Sequence, residues 1–264
     1  MKYDFIFVVL VFRNTRDLED FFESNHVPNS KVIVVNSFYD EESEKRFKEI
    51  AVSNNADYIN VPNNGYGAGN NAGCKYALEH YEFKYLIISN ADITIKSLTI
   101  GEVESHGACI LAPKIITLDG RNQNPFWPYK IPKIEFDIKY WLNKRNYTKI
   151  IQIIYAFSKM RRMVFNVMYK VTRRRRIWAA HGAFVILEYT VLKKMFPLYN
   201  ERMFLFAEEG HLCKKAESLD VKVFYVPEVV VLHKEDGSVG FVSDKVREMG
   251  RQSSMIFYET WFKK

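Results

Sequence analysis

Three apolar runs rich in β-branched residues, FIFVVLVF (5–12), KVIVV (31–35) and YLIIS (85–89), are separated by stretches of helical pattern. That alternation marks a parallel sheet whose strands are joined by crossover helices, so the chain reads as α/β. The intervening helices open at Thr15, with Leu18, Phe21 and Phe22 on one side, at Glu41 and at Asn70, while residues 57–61 supply a short strand. With 264 residues, 48% of them apolar, there is material for one large α/β domain or two small ones, and global disorder is not expected. After Pro113 the pattern gives way to the proline-rich stretch NPFWPYKIP (124–132), expected to be an irregular loop. It resumes with WAAHGAFVIL (178–187), a helix after Tyr189, the helix EEGHLCKKAES (208–218) and KVFYVPEVVVLH (222–233), which reads as paired strands.

Cys74, Cys109 and Cys213 are odd in number and scattered, which argues against a disulfide framework and for a reducing, cytoplasmic setting. The eight apolar residues at 5–12 are too few to span a bilayer and no cleavage pattern follows, so that run is expected to be a buried strand.

Charge is unevenly placed. Residues 121–180 carry fifteen Lys and Arg against Glu135 and Asp137, a local +13 that leaves −6 for the remainder of a chain whose net charge is +7. No acidic residue occurs between Ile138 and Leu187. Within this segment Ile150, Ile153, Ile154, Phe157, Met160, Val164, Val167 and Met168 recur at helical spacing among Lys159, Arg161, Arg162 and Lys170, and four arginines follow at 173–176. A basic amphipathic helix of this kind is expected to meet an anionic membrane surface through residues 139–176, with an intramolecular hairpin or a homodimer interface as the competing use. Nucleic acid is not expected as a partner, because there is no reading fold and no aromatic stacking platform.

Open α/β sheets bind ligands outside the carboxyl ends of their strands. The second run leads into Asn36-Ser37-Phe38-Tyr39-Asp40, the third into Asn90-Ala91-Asp92-Ile93, and the last ends at His233. A carboxylate at a strand tip, as at Asp92, suits a hard divalent cation that holds phosphate oxygens, although an aspartate that merely opens a turn looks the same. The segment NNGYGAGNNAG (63–73) concentrates four of the twelve glycines, which lets a backbone approach an anionic or nucleotide ligand closely. It is neither a Walker A loop nor a dinucleotide fingerprint, and a structural glycine turn is the competing reading. The adjacent acids Glu208 and Glu209 open a helix, where one can take a proton from an attacking hydroxyl while the other orients it; acids also favour helix N-termini for electrostatic reasons alone.

Taken in order, VVLVFRN, VIVVNS, NNGYGAGNNAG, ISNADI, HGAFVIL, FLFAEEGHLCKKA and VPEVVVLHKEDGS resemble glycosyltransferase family 2, with its GT-A fold, and within it the bacterial surface-polysaccharide branch of rhamnosyl- and galactofuranosyltransferases. The likeness spans about residues 4–240. It implies a Rossmann-like, mostly parallel central sheet flanked by helices and carrying a basic amphipathic helical insertion. It implies a metal-dependent inverting glycosyltransferase that moves a sugar, rhamnose-like by preference, from a dTDP- or UDP-sugar to a growing lipid-linked surface polysaccharide at the inner face of the cell membrane.

Residue by residue, Asp92 and His233 would hold Mg2+ or Mn2+ with Asn90 close by, and Ser238 falls at a phosphate contact. Gly65, Tyr66, Gly69 and Asn70 match the donor loop. Gly182 and Ala183, with Trp178, match the acceptor side, and Glu209, paired with Glu208, matches the catalytic base. Asn36 stands where the family carries a base-reading aspartate, a role Asp40 can take instead, and His211 stands where an acid is common. The same likeness divides the chain into a nucleotide-sugar part (1–137), the insertion (138–176), an acceptor and catalytic part (177–240) and a C-terminal helical tail (241–264). A nucleotidyltransferase would show a glycine-, Arg- and Lys-containing signature that VFRNTRDL lacks. A catalytically silent scaffold in a polysaccharide assembly complex is the other alternative, motivated by Asn36.

Overall fold

A strand that is apolar at every position stays in water-free surroundings only if helices cover both faces of its sheet. In the computed structural model, which describes residues 2–104, 107–168, 173–235 and 244–263, this is the arrangement found. Along the chain run β1 (Lys2–Val11), α1 (Thr15–Ser24), β2 (Ser30–Ser37), α2 (Glu41–Ser53), β3 (Asp57–Val61), α3 (Tyr66–His80), β4 (Glu82–Asn90), β5 (Ile93–Ser97) and α4 (Ile100–Glu104). There follow β6 (Cys109–Thr117), α5 (Lys133–Lys144), α6 (Thr148–Met168), β7 (Arg175–Ile177), β8 (Phe184–Glu188), α7 (Tyr189–Met195), α8 (Glu208–Ser218), β9 (Lys222–His233) and α9 (Asp244–Trp261).

The strands form one sheet in the order β3-β2-β1-β4-β8-β6-β9-β5, with β7 also paired to β9. The first four are parallel to one another. Strand β8 is antiparallel between β4 and β6, and β6 and β9 are again parallel. Strands β7 and β5 lie end to end, antiparallel, along the outer edge of β9. The mostly parallel α/β sheet expected from the sequence is therefore present. On one face Ile6, Val8, Ile33 and Val35 pack beneath α3, while α7 covers β4 and β8 and α8 covers β9; on the other Phe5, Phe7 and Val9 meet Leu18 and Phe21 of α1 and Phe47 of α2. A third cluster around Phe136, Met203 and Phe257, extended by Trp127, Trp178, Trp261 and Phe262, fastens α5 and α9 to the rest.

Three details differ from expectation. KVFYVPEVVVLH is one strand, because both halves pair with β6 across a register shift; Pro227, which has no N–H, sits in the extra residues between Val226 and Val230. Pro113 does not end the pattern but stands inside β6 next to that same shift. Helix α3 starts at Tyr66, inside the glycine-rich segment, since close packing rather than propensity decides there: a Cβ on Gly73 would lie 2.4 Å from Val8 Cγ1. The cysteines Cys74, Cys109 and Cys213 are free and buried.

Candidate active site

Strand pairing brings the first cluster together. Ile93, the first residue of β5, is registered against His233, the last of β9, so Asp92 and His233 share one end of the sheet. Asp92 is 4% exposed and His233 7%. Gln123 Nε2 donates to Glu235 Oε1 at 2.8 Å, which turns Gln123 Oε1 toward the imidazole, and His233 Nδ1–H donates to it at 2.7 Å. This leaves His233 Nε2 facing Asp92 Oδ2 at 3.2 Å, an oxygen that has no hydrogen bond. Two buried lone-pair donors facing each other, one oriented by an outer hydrogen bond, form the kind of cradle that a hard divalent cation satisfies. Asp92 and His233 fit such an ion, with its remaining positions open to phosphate oxygens and water; no group of three or more His, Cys, Asp or Glu with metal-holding geometry occurs among the described residues.

The second cluster is built where α3 meets the segment leading into α8. Tyr66 N–H donates to Phe204 O at 2.9 Å, and the side-chain amide of Asn71 pairs with both backbone groups of Tyr199 at 2.9 and 3.1 Å. Gly65 is required at this crossing: its φ is +101° and a Cβ would lie 2.2 Å from Phe204 O. Phe206 and Ala207 adopt left-handed φ values of 72° and 68° immediately before Glu208, a strained approach that aims the first turn of α8.

Glu208 is 5% exposed with Oε1 unpartnered, and burial, reinforced by the charge of Glu209, pushes its carboxyl up to about 8. The positive end of α8 does not overcome that desolvation. Glu209 is less buried, and its Oε1 lies 3.3 Å from where a Cβ on Gly182 would stand. The Tyr66 hydroxyl donates to Gly182 O at 2.9 Å; burial and then the two glutamates hold this phenol protonated.

One tripeptide joins the clusters. The His181 ring lies 6.0 Å from the His233 ring, Gly182 faces Glu209, and Ala183 O accepts from Asn90 N–H at 2.9 Å. Asp92, Asn90, His233, Tyr66, Gly182, Ala183, Glu208 and Glu209 thus border a common region. Asn36 is fully buried beside it on β2; its Nδ2 donates to Asn60 Oδ1 at 2.9 Å and its Oδ1 has no partner. Asn70 is likewise buried, with Nδ2 donating to Tyr66 O and Oδ1 unpartnered.

Other expected residues serve differently. Asp40 caps α2, accepting from Ser43 N–H at 2.8 Å. Gly69 turns its missing side chain toward Leu10 Cδ1, at 2.4 Å from a would-be Cβ, so it packs the helix onto β1 instead of facing a ligand. Trp178 stacks on Trp127 at 5.3 Å and lines a separate cavity of about 380 Å³ with Lys130, Arg176, Glu217 and Asp220, at the opposite end of β9 from His233. Ser238 lies outside the described residues. Nothing in the sequence pattern singles out Gln123 or His181; only the glycine after His181 marks that turn.

No protein-family model matches the chain, and no curated protein matches it. Solved structures do. GalNAc-T7 with UDP, GalNAc and Mn2+ superposes with a TM-score of 0.65 at 13% identity, over 99% of this chain and 48% of that one. The chain has the GT-A fold. S. aureus TarS 1-349 superposes with a TM-score of 0.53 at 11% identity, over 98% and 73% of the two chains. The same fragment in complex with UDP-GlcNAc gives 0.52 at 13% identity, over 99% and 68%. The chain spans about half the length of the GalNAc-T7 chain.

Proposed function

We propose that this protein is an inverting, metal-dependent glycosyltransferase that uses a nucleoside-diphosphate sugar. The observation that carries the reading is where unsatisfied polar atoms fall. Of the six buried, unpartnered side-chain polar atoms among the described residues, four belong to Asn36, Asn70, Asp92 and Glu208, at the carboxyl end of the parallel strands or on the helices over it. Buried polar atoms rarely go unpaired, so a cluster of them points to a bound partner. The fold supports the same reading, since GalNAc-T7 with UDP and Mn2+ and TarS with UDP-GlcNAc share it.

Asp92 and His233 would hold Mg2+ or Mn2+, whose charge offsets that gathering on the departing diphosphate. Glu209 accepts the proton of an acceptor hydroxyl as its oxygen bonds to the anomeric carbon. The bond from that carbon to the diphosphate oxygen breaks on the opposite side, with its electron pair leaving on the diphosphate. Glu208, protonated at neutral pH, keeps a second negative charge away from the attacking oxygen. The Tyr66 hydroxyl fixes Gly182, which leaves Glu209 room to reach the acceptor. Asn36 lies where the nucleobase would be read, and a lipid-linked glycan is the acceptor that the sequence resemblance favours.

The test is a screen of UDP- and dTDP-sugars for Mn2+-dependent release of nucleoside diphosphate. Glu209→Gln should lower kcat about a hundredfold to ten-thousandfold with little change in donor affinity. Undiminished turnover in that variant would remove the mechanism.

A further inference from the structure

Helix α6 is folded with its apolar stripe facing out. Ile150, Ile153, Phe157, Met160 and Val164, spaced by three and four residues, are each about half or more exposed. An adjoining side is the one that packs: Ile151 is buried, Ser158 Oγ donates to Glu135 Oε1 at 3.2 Å, Arg161 Nη2 pairs with Glu135 Oε2 at 2.9 Å, and Phe165 meets Tyr129 edge to face. Helix α5 repeats the pattern with Ile134, Ile138 and Trp141 outward, while Phe136 and Leu142 are buried. The Trp141 ring touches Tyr147, in the turn between the helices, at 5.7 Å, so the two stripes meet. Ten of the fifteen large exposed apolar residues among the described ones lie in this hairpin and its turn, far more than scattered surface hydrophobics explain.

We infer that the outer face of the α5–α6 hairpin is a docking surface for an anionic lipid bilayer. Charge selects this occupant. Lys139 and Arg161 are paired with Glu135, but no carboxylate among the described residues reaches Lys144, Arg145 or Lys149, which ring the turn; the Arg145 guanidinium instead lies 4.1 Å over the Trp141 ring. A twofold dimer through the same face would set these cations against their own copies, with no acid between residues 138 and 187 to relieve them. Anionic headgroups relieve them directly, and Trp and Tyr at the rim suit the headgroup level of a bilayer. No helix among the described residues is long and apolar enough to cross a membrane, so the hairpin lies along the surface. This proposal does not depend on the reaction proposed above.

Flotation of the full chain with phosphatidylcholine vesicles, with and without phosphatidylglycerol, tests it. The wild type should float only with the anionic vesicles. Each cation near such a surface strengthens partitioning about fivefold, so replacing Lys144, Arg145 and Lys149 together by Ser should weaken it about a hundredfold. Ile153→Ser with Phe157→Ser should cost at least about tenfold while unfolding at the wild-type temperature, since both side chains are exposed. Trp141 emission should shift to the blue on binding, a change lost in Trp141→Phe. Failure of the wild type to float, flotation unaltered in both multiple variants, or a dimer in sedimentation that Ile153→Ser/Phe157→Ser dissolves without any vesicle binding would overturn the proposal.

Discussion

Adjacent glutamates at the start of α8 experience different surroundings, and pH should separate them. Burial lifts Glu208 to about 8 against an ordinary glutamate near 4.5. Because the folded value is the higher one, the folded state gains from the proton below about pH 4.5 and loses that advantage progressively up to about pH 8. The difference is on the order of 5 kcal/mol at most. Melting temperatures followed from about pH 6.5 to 8, above the range in which His211 acts in the opposite sense, should therefore fall with rising pH, and Glu208→Gln should flatten the slope. The same variant should also lack the decline in kcat/KM that we expect above pH 8, where a second carboxylate beside Glu209 ionises. The sequence told that two acids open this helix; which of them is buried depends on Phe206 and Ala207 turning left-handed, a conformation that neither residue type advertises.

At the level of single elements, helices α3 and α8 show what packing adds to pattern. Helix α3 was legible from Asn70 onward, but its first turn consists of Tyr, Gly and Ala, whose propensity is weak and whose place is set by the sheet beneath. Gly73→Ala would press a methyl to 2.4 Å from Val8 Cγ1 and 2.8 Å from Val35 Cγ2, so urea unfolding should report a loss of about 1–3 kcal/mol. Helix α8 carries His211, 4% exposed, whose Nδ1 accepts from Trp261 Nε1 at 3.0 Å. Burial, with Lys215 adding repulsion, lowers this imidazole to about 4. A depressed folded value means that the contribution is whole above pH 6.5 and lost as pH falls toward 4. Acid should therefore loosen α9 from α8 first, visible as amide exchange in α9 rising before that of β1. The sequence marked His211 as unusual, but its partner lies fifty residues away, beyond what spacing can indicate.

Across the whole molecule, the sheet was readable because strands buried on both faces are apolar throughout, whereas the meeting of Asp92 with His233 rests on β5 pairing with β9. Strand β5 is short and half-exposed, and nothing in ITIKS announces it. Family resemblance supplied that pair; periodicity did not. If the two residues hold a cation against a diphosphate, UDP with Mn2+ at a hundred times its Kd should stabilise the wild type by about 2.7 kcal/mol, roughly 5–10 °C for a chain of this size. Asp92→Ala and His233→Ala should each abolish the shift in a thermal melt, and a shift retained in both would show that the nucleotide binds elsewhere.

Strands β7 and β5 cap the two halves of β9, Pro227 fills the interval between them, and the far margin of the sheet is the five-residue β3. Among the described residues only short edge strands are left to template another chain, which disfavours polymerisation by strand addition.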